Sequence, residues 1–380
     1  MSTKGIILIN TGTPASTSQQ AIRAYLKRFL SDKRVVNLPA IIWQPVLNCI
    51  VLPRRPKKTA EHYRHIWTEQ GSPFVLYSRE IERRLKALIY ERHKDTNSEP
   101  PLLRIAYRYS NPDIQTTLNF FRNHEVSELT VLPLYPQQAF ATTMSVSDEI
   151  RRSQTALNWY PKLRFIESYH LQDDYIQAVA NTIKQALFNF QNRCITPKSA
   201  PSDATTCSAV DDNGANANNT NVNGANAMAL LDINKIDASK TRLIFSFHST
   251  PIKDRNNGDL YFKQTQQTSA AIAQSIGLPD ELWQVCYQSR FNDAQKWIGP
   301  FLDDELKRLL FKGVRNFFVI TPGFAVDCLE SLYEVKYLAC HDLLKAAQAA
   351  NVNQTDINFH YIPALNATDE HIQLLANLVL

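Results

Sequence analysis

The sequence predicts an α/β protein of two similar doubly wound, Rossmann-like domains, each a parallel sheet packed between helices, with an active-site cleft between them. Three observations carry this expectation. At 380 residues the chain is long enough to build two cores. Short β-branched runs alternate along it with longer amphipathic stretches, the pattern of parallel sheets covered on both faces. The two halves also echo each other in order: GIILINTGTP resembles RLIFSFHSTP, LRIAYRYSNP is loosely matched by WQVCYQSRFN, and LTVLPLYPQ is answered by NFFVITPGF.

Taken in order, the first strand is expected at 5–10 (GIILIN), an unbroken apolar run of the kind buried on both faces. Amphipathic helices at 19–30 and 81–92 precede strands at 103–107 (LRIAY), 129–134 (LTVLPL) and 163–168 (LRFIES), and a helix at 175–188 follows. From 196 to 240 the composition shifts to Asn, Ala, Ser and Asp. Such a segment has too little apolar area to offset the entropy of ordering it, so a disordered insert is expected there. Beyond it come strands at 242–247 (RLIFSF), 283–287 (WQVCY) and 316–321 (NFFVIT), with helices at 264–276 and 328–347. The domains are accordingly placed at 1–160 and 161–380, the second carrying the insert.

A net charge of +5 suits an anionic small molecule or an acidic membrane surface and is too weak to argue for nucleic acid. The N-terminus runs straight into a strand without the regions of a signal peptide, so a cytoplasmic protein is expected. The longest apolar region, 39–53, holds Gln44 and Asn48 and is broken by Pro45, so no membrane span is expected. With Arg54, Arg55, Lys57 and Lys58 just after it, the region fits peripheral contact with an anionic bilayer; a buried helix followed by a basic turn is the alternative. None of the six cysteines forms a C-x-x-C pair, and free thiols are expected.

In open parallel sheets, ligands bind outside the carboxyl ends of the strands. Those ends carry Thr11, Arg108, Tyr109, Tyr135, His248, Gln288, Arg290 and Phe324, with no glycine-rich phosphate loop among them. A lone histidine is more often structural, but His248 ends a strongly apolar strand and Pro251 keeps the following chain from hiding it in a helix. Asp327, Glu330 and Glu334 fall within about 60° of one another on a helix of 3.6 residues per turn. A solvated acidic face explains that spacing as well as a ligand row does. Together, an imidazole and carboxylates suggest N/O ligation of a borderline divalent metal rather than a closed zinc site. His62 and His65, in EHYRHIW, lack a third ligand nearby and read as structural or surface residues.

FSFHSTP, QSRFNDAQKWIGP and PGFAVDCLESLYE resemble signature segments of ferrochelatases, as do NTGTP, FLSDKRVV, GSPFVLYSRE, LPLYPQQAFATT and YIPALNATDEHI. The matches run in order from near residue 5 to near residue 378, leaving the 196–240 insert unmatched. The resemblance implies a chelatase-like fold and insertion of Fe²⁺ into protoporphyrin IX with release of two protons, in haem biosynthesis. It implies catalytic and metal-handling roles for His248 and Glu330. Asp327 and Glu334 would form a relay on the same helix, which in the family is distorted toward π geometry, so His341 is not counted as a ligand. Thr11, Arg108, Tyr109, Tyr135, Gln288, Arg290, Trp297 and Phe324 fall at or near porphyrin-lining positions. Thr11 stands where other members place Met or Tyr, and Cys328 where some have His. Iron enters as a substrate; no prosthetic group and no 2Fe–2S cluster is expected, and the protein is read as a monomer in peripheral contact with the inner membrane. Coproporphyrin III as substrate, a cobalt or nickel chelatase, and a non-catalytic tetrapyrrole or metal carrier are the competing readings.

Overall fold

The computed structural model describes residues 3–96, 98–193, 231–290 and 296–380. Its strands are β1 (Thr3–Asn10), β2 (Leu102–Tyr107), β3 (Val126–Pro133), β4 (Lys162–Phe165), β5 (Thr241–His248), β6 (Trp283–Gln288), β7 (Asn316–Ile320) and β8 (Asn358–Ile362). Among the described residues they form two four-stranded sheets, ordered β2-β1-β3-β4 and β6-β5-β7-β8, with every pairing parallel. The order is the same in both. The echoed segments therefore occupy equivalent places: β1 answers β5, β2 answers β6, and β3 answers β7. Even a detail repeats, since the N–H of Tyr107 donates to the Pro112 carbonyl and that of Tyr287 to the Pro300 carbonyl, each at 2.8 Å.

Alternation of side chains along a strand divides each sheet into two faces. Ile7 and Ile9 pack against the helices Ile114–Asn123 and Ser145–Leu157. Ile244, Phe317 and Val319 pack against Leu302–Phe311 and Cys340–Ala349. The other faces meet in one core, where Ile6 and Leu8 of β1 join Leu243, Phe245 and Phe247 of β5. The helices Pro73–His93, Asp173–Arg193, Tyr261–Ile276 and Asp369–Val379 fill that shared layer. The expected doubly wound pair is present, and its two members share a middle layer.

Four expectations change. The strand expected at 163–168 is β4, Lys162–Phe165, and it pairs with β3, so a boundary at 160 leaves the first sheet without its last strand. β8 was not anticipated, because Asn358 and His360 interrupt its apolar run; His360 is accommodated by stacking on Phe318 at 4.7 Å. The insert lies outside the described residues up to 230, but 231–240 does not behave as expected: Leu231, Ile233 and Ile236 pack on the shared core around a short helix, Ile233–Lys235. Cys49, Cys286 and Cys328 are free thiols, whereas Cys340 is disulfide-bonded, contrary to expectation; Cys194 and Cys207 lie outside the described residues. Among the described residues no helix is long and apolar enough to cross a membrane.

Phe245 is 0% exposed and meets Trp283 edge-on at 5.7 Å in the shared layer. Phe245→Ala should lower unfolding stability by about 3–5 kcal/mol through lost transfer energy and an unfilled cavity. Urea titration followed by circular dichroism checks this, and a loss under about 1 kcal/mol would show that the shared layer is not a close-packed core.

Candidate active site

Parallel strands send their carboxyl ends the same way, and four of these exits converge here. The chain after β1 contributes Thr11, the chain after β3 Tyr135 and Gln137, the end of β5 His248, and the chain after β7 Phe324 and Glu330 to one cavity lined from both halves. Two glycines let the walls approach. Gly12 has φ +91°, and a Cβ there would lie 2.2 Å from Ser110 Oγ. At Gly323 a Cβ would press on Phe247 at 3.2 Å.

The wall from the first half is made of hydroxyl-bearing rings. Thr11 Oγ1 and the Tyr135 hydroxyl are hydrogen-bonded at 2.8 Å. The Tyr109 hydroxyl donates to Asp32 at 2.8 Å, and Asp32 also accepts from Arg108 at 2.7 Å and Ser145 at 2.5 Å. Arg108, expected to line the cavity, lies behind it: its guanidinium pairs with Asp32 and, at 3.4 Å, with Glu149. That placement follows from Asp32, whose buried carboxylate needs a cation more than the cavity does. Burial drives the hydroxyls of Tyr25, Tyr63, Tyr109 and Tyr135 above the ordinary tyrosine range, so all four are neutral donors near pH 7.

At the end of β5, His248 places Nδ1 2.7 Å from the Ser249 carbonyl. A carbonyl only accepts, so Nδ1 carries a proton, and the tautomer this contact selects has its lone pair on Nε2. The imidazole is thus set to accept a proton or to bind a metal.

Glu330 opens a π-helix, Glu330–Ala339, continued by the α-helix Cys340–Ala349, where one amphipathic helix over 328–347 was expected. The three carboxylates of that segment do three different things. Glu330 reaches the cavity. Asp327 does not: it is 3% exposed, and its carboxylate accepts from Ser331 Oγ at 2.9 Å, Asn366 Nδ2 at 2.8 Å and the Tyr361 hydroxyl. A relay through Asp327 is therefore replaced by an anchor, because a carboxylate taken out of water must be matched by donors. Glu334 accepts from the Ser289 hydroxyl; burial, then the nearby charge of Glu330, pushes its carboxyl up to about 7 against the partial opposition of Arg55.

The remaining expected porphyrin contacts divide. Thr11, Tyr109, Tyr135 and Phe324 line the cavity. Gln288 does not; it bridges Ser246 Oγ at 2.6 Å and the Glu330 carbonyl at 3.1 Å, holding the catalytic candidate from behind. Arg290 stacks over Phe301 at 4.7 Å and faces Asp303 at 3.9 Å, away from the lining, and Trp297 pairs by its backbone with Pro251. His62 and His65 stack on Tyr333 and Tyr337 at 4.2 and 4.9 Å, in keeping with structural roles, and His341 stays exposed beside Tyr337. Among the described residues, no three His, Cys, Asp or Glu side chains are grouped to hold a metal ion. Aromatic residues the sequence left unmarked complete the lining, among them Tyr25, Phe29, Tyr63 and Tyr261. Their only signal was aromatic content on helix faces, which reads as core. Cys328 lines the cavity too, its thiol pushed well up by burial and then by Glu330.

A family model described as Ferrochelatase matches residues 3–202 and 219–380 of this chain. The ferrochelatase of Actinobacillus pleuropneumoniae serotype 7 is 35% identical over 375 residues, covering 99% of this chain and 97% of that protein. The ferrochelatase of Methylococcus capsulatus is 35% identical, covering 99% and 95%. A protein of Streptococcus mutans described as coproporphyrin III ferrochelatase is also 35% identical, covering 99% and 97%. Among solved structures, SirB from Bacillus subtilis with Fe³⁺ aligns with a TM-score of 0.48 and 10% identity over 99% of this chain and 93% of that one.

Glu334 gives a pH test. The folded chain holds its proton more tightly than an ordinary carboxyl at 4.5 does, so the stability it adds is complete below that range and lost as pH rises through about 7. Glu334→Gln, which cannot ionise, should raise Tm relative to the unmodified chain more at pH 8 than at pH 5. Thermal melts across that range check it, and a difference that grows on acidification would contradict the assignment.

Proposed function

The chain belongs to the ferrochelatase family, enzymes of haem biosynthesis that insert a metal into a porphyrin, and from this premise we propose that it inserts Fe²⁺ into protoporphyrin IX through His248 and Glu330. The observation that carries the reading is that both side chains line one cavity whose other described walls are tyrosine and phenylalanine rings, aliphatic groups and uncharged polar side chains such as Thr11 and Gln137. Insertion has two requirements. Two pyrrole protons must leave, and the metal must shed its water. Nε2 of His248 has the lone pair to accept a proton, with Nδ1 held by the Ser249 carbonyl in the tautomer this demands. The Glu330 carboxylate is an oxygen ligand that exchanges with the hydration shell of Fe²⁺ and steadies its charge on the way to the ring nitrogens. Tyr109, Tyr135 and Phe324 supply flat surfaces for the macrocycle. Iron is a substrate in this scheme, and no resident prosthetic group is invoked.

The character of the lining supports protoporphyrin IX over coproporphyrin III. Among the described residues the cavity wall carries Glu330 but no Lys, Arg or Asp, beside Phe29, Ile66, Leu134 and Leu329. An adjoining depression that shares Tyr25, Ser72 and Tyr109 with the cavity brings in Arg28 and Arg79. Two guanidinium groups match the two propionates of protoporphyrin IX; coproporphyrin III has four carboxylates to neutralise. An anaerobic absorbance assay with Fe²⁺ tests both parts. Protoporphyrin IX should be metallated faster than coproporphyrin III, and His248→Ala should lose about 10²-fold or more of the rate while still binding porphyrin. Preferred turnover of coproporphyrin III would reverse the substrate assignment. Undiminished turnover by His248→Ala would end the assignment of the base, and a chain that binds the porphyrin but never metallates it would be a carrier.

Peripheral membrane contact at the cytoplasmic face of the inner membrane is proposed on a separate feature. Leu38, Ile41, Ile42 and Ile50 are 49%, 86%, 59% and 49% exposed, and Arg54, Lys57 and Lys58 are exposed on the helix that follows. Apolar side chains beside cations suit an anionic bilayer surface. In flotation assays the chain should rise with vesicles containing phosphatidylglycerol at low salt and detach as salt is added. Indifference to the vesicles at low salt would count against this contact.

A further inference from the structure

Asn366 takes no part in lining the cavity, yet it is tied to the segment that carries Glu330 through both backbone and side chain. Its own N–H donates to the Ala325 carbonyl at 3.0 Å. Its Oδ1 accepts from the backbone N–H of Asp327 at 2.8 Å, and its Nδ2 donates to the Asp327 carboxylate at 2.8 Å. The amide has only one orientation that satisfies both contacts, since reversal would set its NH₂ group against an N–H and its oxygen against a carboxylate. On the far side, the Asn366 carbonyl accepts from Nδ1 of His371, which is 0% exposed in the first turn of the last helix. Asn366 itself has φ +49°, in the left-handed region that asparagine tolerates better than most side chains. One buried residue thus joins the C-terminal helix to the start of the acidic segment.

The connection runs on to Glu330. The Asp327 carboxylate receives Ser331 Oγ at 2.9 Å, and that hydroxyl also receives the N–H of Cys328 at 3.0 Å, so the turn enclosing Glu330 is closed by these bonds. From the other side, Gln288 holds the Glu330 carbonyl. We propose that Asn366 is a positioning residue for metal insertion, acting through Asp327 and Ser331 to hold the Glu330 backbone at the cavity wall. The proposal rests on the reading of Glu330 as the carboxylate that handles iron.

The test uses the full chain and four variants: Asn366→Gly, which removes the amide but keeps a backbone at home in the left-handed region, Glu330→Gln, the double variant, and Tyr361→Phe. Turnover with Fe²⁺ is expressed per protoporphyrin-binding site, titrated by fluorescence quenching, so that unfolded protein does not count. Asn366→Gly should bind protoporphyrin within about two-fold of the unmodified chain and lose about ten-fold or more in kcat, as loss of outer-shell partners does. In the Glu330→Gln background the same change should remove less than about two-fold of the residual rate, because both act on one group. Normal turnover per site in Asn366→Gly, or a loss that multiplies in full with that of Glu330→Gln, would overturn the proposal. Normal turnover in Glu330→Gln would instead remove the reading on which it rests. Should Asn366→Gly fail to fold, Tyr361→Phe deletes one donor to Asp327 with the ring retained; reduced kcat per site supports the proposal, and unchanged kcat overturns it.

Discussion

Both sheets bury the same layer of helices, and the position of the cavity follows from that sharing. Ile6 and Leu8 of one sheet and Leu243, Phe245 and Phe247 of the other belong to a single core. Each fully buried aliphatic or aromatic side chain there contributes about 1.5–3 kcal/mol. A layer packed on both sides leaves the sheets little freedom to rotate independently. With both sheets ordered alike and wholly parallel, the exits of β1, β3, β5 and β7 arrive at one place. A wall of rings from the first half then faces an imidazole and a carboxylate from the second. Neither half supplies both.

Behind the cavity wall, buried polar groups work in sets, each fixing one group that reaches the substrate space. Arg108 and Ser145 hold Asp32, which holds the Tyr109 hydroxyl. Ser246 holds Gln288, which holds the Glu330 carbonyl. Asn366 and Tyr361 hold Asp327, which holds Ser331 in the turn with Glu330. Each set satisfies groups that would be costly to bury alone. That division suits a reaction in which a metal must be gripped briefly and passed on.

The apolar strands and their exits were legible in the sequence because they depend on local pattern. GIILIN, LRIAY and RLIFSF lie in strands, and the echo between halves returns as an identical strand order. His248 and Glu330 were legible as exit residues for the same reason, and both reach the cavity. What failed depended on partners distant in the chain. Nothing near Arg108 announces that Asp32 will claim it, and nothing near Asp327 announces Asn366 or Tyr361. The shared helical face of Asp327, Glu330 and Glu334 suggested one role for three residues. Only the tertiary structure separates a buried anchor, a carboxylate at the cavity wall and a neighbour whose carboxyl burial pushes up, and it sets the last two on a π-helix whose i→i+5 bonding departs from the α register on which the spacing argument relied.

The most direct measurement is a crystal structure of the chain with protoporphyrin IX bound and iron withheld. The account requires the macrocycle in the cavity between the two halves, its pyrrole nitrogens toward Nε2 of His248 and the Glu330 carboxylate, and its propionates toward Arg28 and Arg79. A ring seated elsewhere, or one whose propionates occupy the Glu330 end, would contradict it.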